Sequence, residues 1–234
     1  MEHDSRPVIE IYGSMECPYA YLATYRLRQV WPEFRSQVRL VWRALSLEYI
    51  NRQSYPMPLH LAEHSLFQQI EPDLPWKRWS RAEWEWPSTH WPGFEALACA
   101  QAQGDAAALE MSWALRYAYF AGNRSVSLRH EIMDIASQLG EQGVLDMERF
   151  ERGWDSGRYK LQVLEESRRG WHELRLEGSA TLILPDGSRV TNPFVGEIDF
   201  DEQNFVLRSY KPYPGDPQQA YREMILRSLE KARG

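Results

Sequence analysis

Residues 8–23 read VIEIYGSMECPYAYLA, and this stretch decides the fold. Its first part, 8–12, is rich in β-branched and aromatic residues and predicts a strand. After a short break, Cys17 and Pro18 open a segment in which apolar residues recur with helical spacing as far as Val30. Because proline is favoured at the first position of a helix, Cys17 is predicted to be the N-cap residue.

A second strand is predicted directly after this helix. Residues 38–42 read VRLVW, and only a short link separates them from the Trp31-Pro32 pair that stops the helix. A strand, a helix and a second strand joined by short links form a βαβ unit, which normally closes right-handed with its strands parallel.

The remainder of the chain divides into a helical part and a second β part. Residues 46–92 are rich in Pro and Trp with little sustained periodicity, and helical patterns then continue to about residue 164. Two strand patterns flank Pro185-Asp186-Gly187 and predict a hairpin, followed by further strand-like runs and a closing helix after Asp216-Pro217. We therefore predict an α/β fold with a discontinuous domain formed by 1–45 and 160–234, and an inserted helical domain over 46–159.

Composition limits the classes of function. The chain has 234 residues, 43% of them hydrophobic and 13% aromatic, which is enough for a sizeable core. A net charge of −6 with interspersed signs disfavours a nucleic-acid surface. No apolar stretch approaches the roughly 18 residues of a membrane span, so no membrane partner is expected. Two cysteines and no visible secretory signal predict free thiols in the cytoplasm.

Cys17 is the principal candidate for chemistry. Unpaired N–H groups and the positive end of the helix dipole favour a thiolate over a thiol at a helix N-terminus, which predicts a lowered pKa. Glu16 acts in the opposite direction by charge repulsion. The alternative is that Cys17 is only a small residue at a strand–helix corner. Cys99 lies in an apolar helical stretch and is expected to be a buried core thiol, although a bridge to Cys17 stays open.

Other polar and aromatic groups give weaker signals. His60 and His64 would share one helix face, but two histidines without a third ligand do not make a metal site, and no metal is expected. Five of the ten tryptophans lie between positions 76 and 91. We expect this Trp-rich segment to pack in the core or to form a lid over the Cys17 end of the sheet, with a ligand platform as the alternative. There is no P-loop, GxGxxG or GxSxG motif.

The residues around Cys17 resemble the active-site corner of DsbA-like thioredoxin-fold proteins. The resemblance covers residues 9–21, the segment 176–184 and the helical stretch 101–120, in the same order and with similar spacing. It implies a thioredoxin fold with an inserted α-helical domain and Cys17 as the catalytic residue. The implied corner comprises Ser14, Glu16, Cys17, Pro18, Tyr19 and Ala20, and the implied loop facing the cysteine comprises Ser179, Ala180 and Thr181.

Two positions depart from the family pattern. Ala20 occupies the place of the second cysteine of CxxC, which removes an internal dithiol–disulfide cycle. Ala180 occupies the place of the family's cis-proline. Because a cis peptide before a non-proline residue costs about 2.5–4 kcal/mol, we predict a trans Ser179–Ala180 bond and a differently shaped loop.

The same corner is similar to a sister branch, the 2-hydroxychromene-2-carboxylate isomerases and kappa-class glutathione transferases. Their motif resembles S-P-[YF]-[AS]-Y-L-A, and residues 17–23 read CPYAYLA, with Cys17 in place of the serine. This resemblance implies a helix N-terminus and a side-chain donor that stabilise the thiolate of bound glutathione.

Three hypotheses of function follow. The first is a thiol-disulfide oxidoreductase that acts through one cysteine, binds no resident cofactor and uses glutathione as a co-substrate. The second is a glutathione-dependent isomerase or transferase. The third is a non-catalytic binding module that keeps the fold. The first two imply a small thiol or disulfide as partner, and a homodimer is compatible with all three.

Overall fold

The structure is organised around strand β1 (Val8–Gly13), in which Ile9 and Ile11 are fully buried. β1 pairs in parallel with β2 (Arg39–Ala44), and helix α1 (Pro18–Val30) connects the two strands. The predicted βαβ unit is therefore confirmed. The computed structural model describes residues 4–201 and 203–233.

The second half of the sheet comes from the other end of the chain. β3 (Thr181–Ile183) runs antiparallel to β1 and places Leu182 opposite Ile11, and β4 (Arg189–Thr191) pairs with β3. The strand order is β2-β1-β3-β4. The predicted hairpin is thus confirmed, and its turn uses Gly187 at a φ of +81°, a backbone conformation that favours glycine. The closing helix α9 (Pro217–Arg233) packs on α1.

Seven helices lie between the two halves of the sheet. α4, α5 and α8 pack against β2, and α5 also packs against α1. Short 3₁₀ helices cover Trp31–Glu33 and Glu83–Glu85, and one π-helical turn follows the last of the seven at Arg169–Glu173. The seven helices are α2 (Leu47–Asn51), α3 (Met57–Ile70), α4 (Trp91–Gln101), α5 (Asp105–Phe120), α6 (Arg129–Glu141), α7 (Met147–Asp155) and α8 (Lys160–Arg168).

These elements confirm the α/β class with inserted helices. The predicted domain limit at residue 45 falls between β2 and α2, and the limit at residue 160 falls at the start of α8. The division into two domains stays a prediction. None of the helices in the described ranges is long and apolar enough to cross a membrane.

Helix α3 and a second, two-stranded sheet position the site. α3 is a fourteen-residue helix within residues 46–92, where the sequence shows little helical periodicity. The pattern is weak because only His60, Leu66 and Phe67 of this helix are buried. Strands β5 (Gly196–Asp201) and β6 (Val206–Pro212) form a separate two-stranded ladder, and β6 packs against α3. α3 and this ladder therefore stand next to each other.

The central strand should dominate stability. Ile11→Ala removes a fully buried side chain between β2 and β3, and we expect the free energy of unfolding to fall by about 2–5 kcal/mol in urea titrations. Leu161→Ala is the matched control because its side chain is 70% exposed, and it should change stability by less than about 0.5 kcal/mol. Equal losses in both variants would contradict this assignment of the core.

Candidate functional site

Cys17 lies where the sheet meets the first helix. It is the N-cap residue of α1 with extended backbone angles, and Pro18 follows in the first turn, as predicted. Its side chain is 4% exposed, and Sγ donates a hydrogen bond to the carbonyl oxygen of Ser179 at 3.0 Å. The sulfur is therefore held between the N-terminus of a helix and the loop that enters β3.

The loop that faces Cys17 contains a cis peptide bond between Ser179 and Ala180. The prediction of a trans Ser179–Ala180 bond was wrong. It considered only the local preference of a non-proline residue, whereas distant groups contact the loop on both sides. The N–H of Ser14 donates to Ser179 Oγ at 2.7 Å, and the N–H of Asn192 donates to the Ala180 carbonyl at 2.9 Å.

Ser14 is the most connected polar residue of the corner. Besides its bond to Ser179, its hydroxyl donates to Glu16 Oε2 at 2.7 Å and accepts the N–H of Leu47 at 3.1 Å. Glu16 is fully buried, and this burial raises the pKa of its carboxyl group. Thr181 Oγ1 donates to the Gly178 carbonyl at 2.6 Å and so fixes the start of β3.

The remaining corner residues divide between the cleft and the interior. Pro18 and Tyr19 line the cleft described below, and the Tyr19 ring packs edge-on against Phe67 with ring centroids 4.9 Å apart. Ala20 is fully buried and lies against Gly13, where an added Cβ would be 3.2 Å from the Ala20 methyl group. The position of the missing second cysteine is therefore filled by core packing.

Arg116 is a buried cation behind the corner that sequence reasoning missed. Its guanidinium donates to Ser112 Oγ at 2.6 Å and to the Ser14 carbonyl at 3.0 Å, and it stacks on Trp42 at 5.1 Å. Burial lowers the pKa of Arg116 to about 10, although nearby Cys17 and Glu16 oppose this shift. An arginine in the middle of a long helix carries no sequence signal of such burial.

The pKa of Cys17 differs from the prediction. Burial raises it to about 12, and the charge of Glu63 acts in the same direction. The side-chain hydroxyl of Ser179, as distinct from its carbonyl oxygen, and the backbone N–H groups of Ala20 and Tyr19 act against this rise but do not reverse it. The predicted lowering was wrong because it counted the helix N-terminus and not the loss of solvent around the sulfur. At neutral pH Cys17 is a thiol.

Cys17 opens onto a cleft of about 560 Å³. Its floor is the start of α1 together with the loop that faces the cysteine, and its two walls come from residues 47–66 and from the β5–β6 ladder. The lining residues are Cys17, Pro18, Tyr19, Leu47, Asn51, Gln53, Ser54, Tyr55, Pro56, Leu59, Glu63, Leu66, Gly178, Ser179, Asn192, Phe200 and Phe205.

The Trp-rich segment does not cover the sulfur. Trp76, Trp79, Trp84, Trp86 and Trp91 are all absent from the cleft lining, so the expectation of a tryptophan lid over Cys17 was wrong. Trp76 and Trp79 are buried and Trp84 is 88% exposed. The cleft wall beside the sulfur is formed by α2, α3 and the chain between them, because β2 ends at Ala44 and residues 47–66 follow it directly.

The two candidate histidines have a packing role. His60 is buried, and its ring lies among four aromatic rings while Trp76 Nε1 donates to its Nε2 at 3.3 Å. Those rings belong to Trp76, Trp86, Tyr119 and Phe120. His64 contacts the Trp76 carbonyl at 3.2 Å. The described part of the chain contains no group of three His, Cys, Asp or Glu side chains that could hold a metal ion.

Cys99 is buried in α4, as predicted, and both cysteines are free thiols. Sequence reasoning also missed most of the cleft lining, including Glu63, Phe200 and Phe205. The only sequence signal for Glu63 is a charged residue between Leu59 and Leu66, which lie on the same helical face at i, i+4 and i+7.

The raised pKa predicts how Cys17 reacts with an alkylating reagent. Because only the thiolate reacts, the rate of Cys17 alkylation by iodoacetamide should rise about tenfold per pH unit from pH 7 to 10 without a plateau. Peptide mass spectrometry separates Cys17 from Cys99, and unfolded protein, in which the rate levels off above a midpoint at about pH 8.5, is the control. A plateau below pH 9 in the folded protein would show that the thiolate is stabilised.

The comparisons with known proteins agree with this architecture. The model of the DSBA-like thioredoxin domain matches residues 8–196. The structure is similar to a Nitrosomonas europaea protein assigned as a disulfide isomerase, with 15% identity, a TM-score of 0.68 and coverage of 98% of this chain and 100% of that one. No curated protein matches the chain in sequence.

Two further similar structures represent the two branches of the resemblance. Cytosolic disulfide reductase DsbM from Pseudomonas aeruginosa, solved with GSH, has 15% identity and a TM-score of 0.63, covering 94% of this chain and 99% of that one. A 2-hydroxychromene-2-carboxylate isomerase has 14% identity and a TM-score of 0.54, covering 78% and 87%. Because the family model matches most of the length of this chain, the chain belongs to the DSBA-like thioredoxin domain family.

Proposed function

We propose that the chain exchanges thiols and disulfides through Cys17 alone, with a small thiol or disulfide as substrate and glutathione as the resolving thiol. The observation that carries the proposal is the position of the Cys17 sulfur on the floor of a cleft, at the N-terminus of α1 and 3.0 Å from the Ser179 carbonyl. A small disulfide in this cleft would present a sulfur atom directly to Cys17.

The exchange has two steps. The Cys17 thiol first loses its proton to solvent, and the thiolate attacks one sulfur of the disulfide R–S–S–R. A Cys17–S–S–R bond forms, the original S–S bond breaks, and RS⁻ leaves and takes up a proton. The glutathione thiolate then attacks the R sulfur, which releases Cys17 and yields the mixed disulfide of glutathione and R. Ala20 makes the external thiol necessary, since no second cysteine lies at the corner.

The raised pKa sets the direction in which the site is suited to work. A strongly oxidising active site stabilises its reduced thiolate, as the oxidant DsbA does. Burial disfavours the Cys17 thiolate, so the site gains little by staying reduced. We therefore assign it to the reduction of disulfides and not to their formation in other proteins.

Glutathione and the compartment belong to the same proposal. The structurally similar DsbM was solved with GSH and is described as cytosolic, which supports a glutathione-linked reaction in the cytoplasm. Two free cysteines suit a reducing compartment.

A second candidate function is a glutathione-dependent isomerase or transferase. The specific observation in its favour is that Cys17 is a protonated hydrogen-bond donor at the start of α1, as a serine would be at that position. In such a site the reacting sulfur belongs to bound glutathione, and Cys17 only donates to it.

The two candidates respond differently to Cys17→Ser. Under the exchange proposal, mass spectrometry should detect a mixed disulfide at Cys17 after incubation with hydroxyethyl disulfide, and glutathione should remove it. Cys17→Ser should then turn over at the uncatalysed rate, because a hydroxyl group cannot form the disulfide. Cys99→Ala is the matched control, since it removes the other buried thiol and should leave exchange unchanged.

Other outcomes contradict the exchange proposal. If Cys17→Ser still binds glutathione in calorimetry and keeps transferase or isomerase activity, the second candidate replaces the first. If neither exchange at Cys17 nor glutathione binding occurs, both enzymatic functions are wrong and a non-catalytic binding module is left.

A further inference from the structure

The cleft at Cys17 has one charged side chain among its described lining residues, and that charge is negative. Among the residues that the structure describes, Glu63 is the only acidic or basic one in the lining, and the others offer the thiol and apolar, hydroxyl and amide groups. Neither lysine nor arginine lines the cleft within residues 4–201 and 203–233. A substrate that enters the cleft therefore meets an acidic side chain.

Glu63 is held in place on the cleft wall. It lies on α3 between Leu59 and Leu66, one turn from each, so that its carboxylate projects from an otherwise apolar face. The buried Tyr55 donates its hydroxyl hydrogen bond to Glu63 Oε2.

The field of Glu63 reaches the reacting sulfur. Its charge contributes to the raised pKa of Cys17, and it acts on the fully buried Tyr119 in the same way. The negative charge of Glu63 disfavours the Cys17 thiolate. The same charge attracts a cationic group, and repels an anionic group, on a substrate whose sulfur lies at Cys17, because that group enters the same cleft.

We propose that Glu63 determines the substrate class of the cleft, which is a disulfide with an ammonium or guanidinium group a few bonds from its sulfur. This inference rests on the proposed exchange at Cys17 and adds its charge specificity. The apolar walls suit such a substrate, because Leu47 and Leu59 can pack on its methylene groups while the cation meets Glu63. The Phe200 and Phe205 side chains also line the cleft, and an aromatic ring attracts a cation to its face.

The same charge arrangement orders the two steps of the exchange. Glutathione carries a net negative charge, so Glu63 disfavours its entry into the empty cleft. A mixed disulfide at Cys17 that bears a cation offsets Glu63 and attracts the glutathione anion to the substrate sulfur. The cationic substrate is therefore expected to react first and glutathione second.

Three small disulfides that differ only in charge test the proposal. Cystamine is cationic, hydroxyethyl disulfide is neutral and dithiodipropionate is anionic, and in each a two-carbon chain separates the sulfur from the end group. The rate of mixed-disulfide formation at Cys17 is measured for each by quenching and mass spectrometry, and is divided by the rate of the same disulfide with mercaptoethanol. This division removes the intrinsic reactivity of each reagent.

For the wild-type protein we expect the corrected rates to decrease from cystamine to hydroxyethyl disulfide to dithiodipropionate. Glu63→Gln should reduce the cystamine-to-dithiodipropionate ratio by roughly tenfold, since one unit charge a few ångströms away changes each rate several-fold. This ratio is unaffected by any common change in the pKa of Cys17. Glu83→Gln is the matched control, because it removes the same charge from an exposed position outside the cleft and should leave the ratio unchanged.

A second measurement uses only the wild-type protein and so does not depend on the folding of a variant. Raising the ionic strength to about 1 M shortens the screening length to about 3 Å and should compress the corrected order of rates. Equal corrected rates for all three disulfides, or a ratio that Glu63→Gln leaves unchanged, would overturn the role of Glu63 while exchange at Cys17 stands. If none of the disulfides forms a bond with Cys17, the proposed exchange fails and the charge specificity fails with it.

Discussion

The site depends on the contact between two loops that lie far apart in the chain. The N–H of Ser14 donates to Ser179 Oγ at 2.7 Å, and the Cys17 thiol donates to the Ser179 carbonyl at 3.0 Å. These two bonds join the end of β1 to the start of β3, which are adjacent strands of the sheet. Because both bonds are buried, losing either partner would leave an unsatisfied polar group, at a cost of about 1–3 kcal/mol. The corner and the facing loop therefore form one unit.

The same contact explains why Cys17 is a thiol despite its position at a helix N-terminus. A helix terminus contributes typically about 0.3–1 kcal/mol and at most about 2 kcal/mol toward a nearby negative charge. Burial raises the pKa of Cys17 to about 12, which corresponds to roughly 4 kcal/mol against the thiolate. The effect of burial is thus the larger, and Ser179 offers a carbonyl oxygen that accepts from the thiol and not from the thiolate.

Features that depend on neighbouring residues in the chain could be predicted from the sequence. The strand at 8–12, the N-cap Cys17 and the hairpin around Gly187 all follow from local patterns of apolar residues, proline and glycine. Features that depend on distant residues could not. The cis bond before Ala180 is accompanied by contacts from Ser14 and Asn192, and the burial of Arg116 results from packing against β2, so neither has a signal in its own segment. The walls of the cleft could not be predicted for the same reason, since α3 and the β5–β6 ladder meet only in the folded chain.

Alanine at positions 20 and 180 leaves the hydrogen bonds of the corner in place, and Ala20 removes one reacting group. These hydrogen bonds join main-chain atoms of Ser14, Ser179 and Ala180 to the Ser179 hydroxyl, the Cys17 thiol and the Asn192 N–H, and none of them requires a cysteine at position 20 or a proline at position 180. What Ala20 removes is the internal thiol that would resolve a mixed disulfide. Under the proposed exchange, resolution then depends on a second molecule that enters the same cleft, so the lining of the cleft governs both steps of the reaction. Under the proposed charge specificity, Glu63 on the cleft wall influences which disulfide reacts and which thiol follows it.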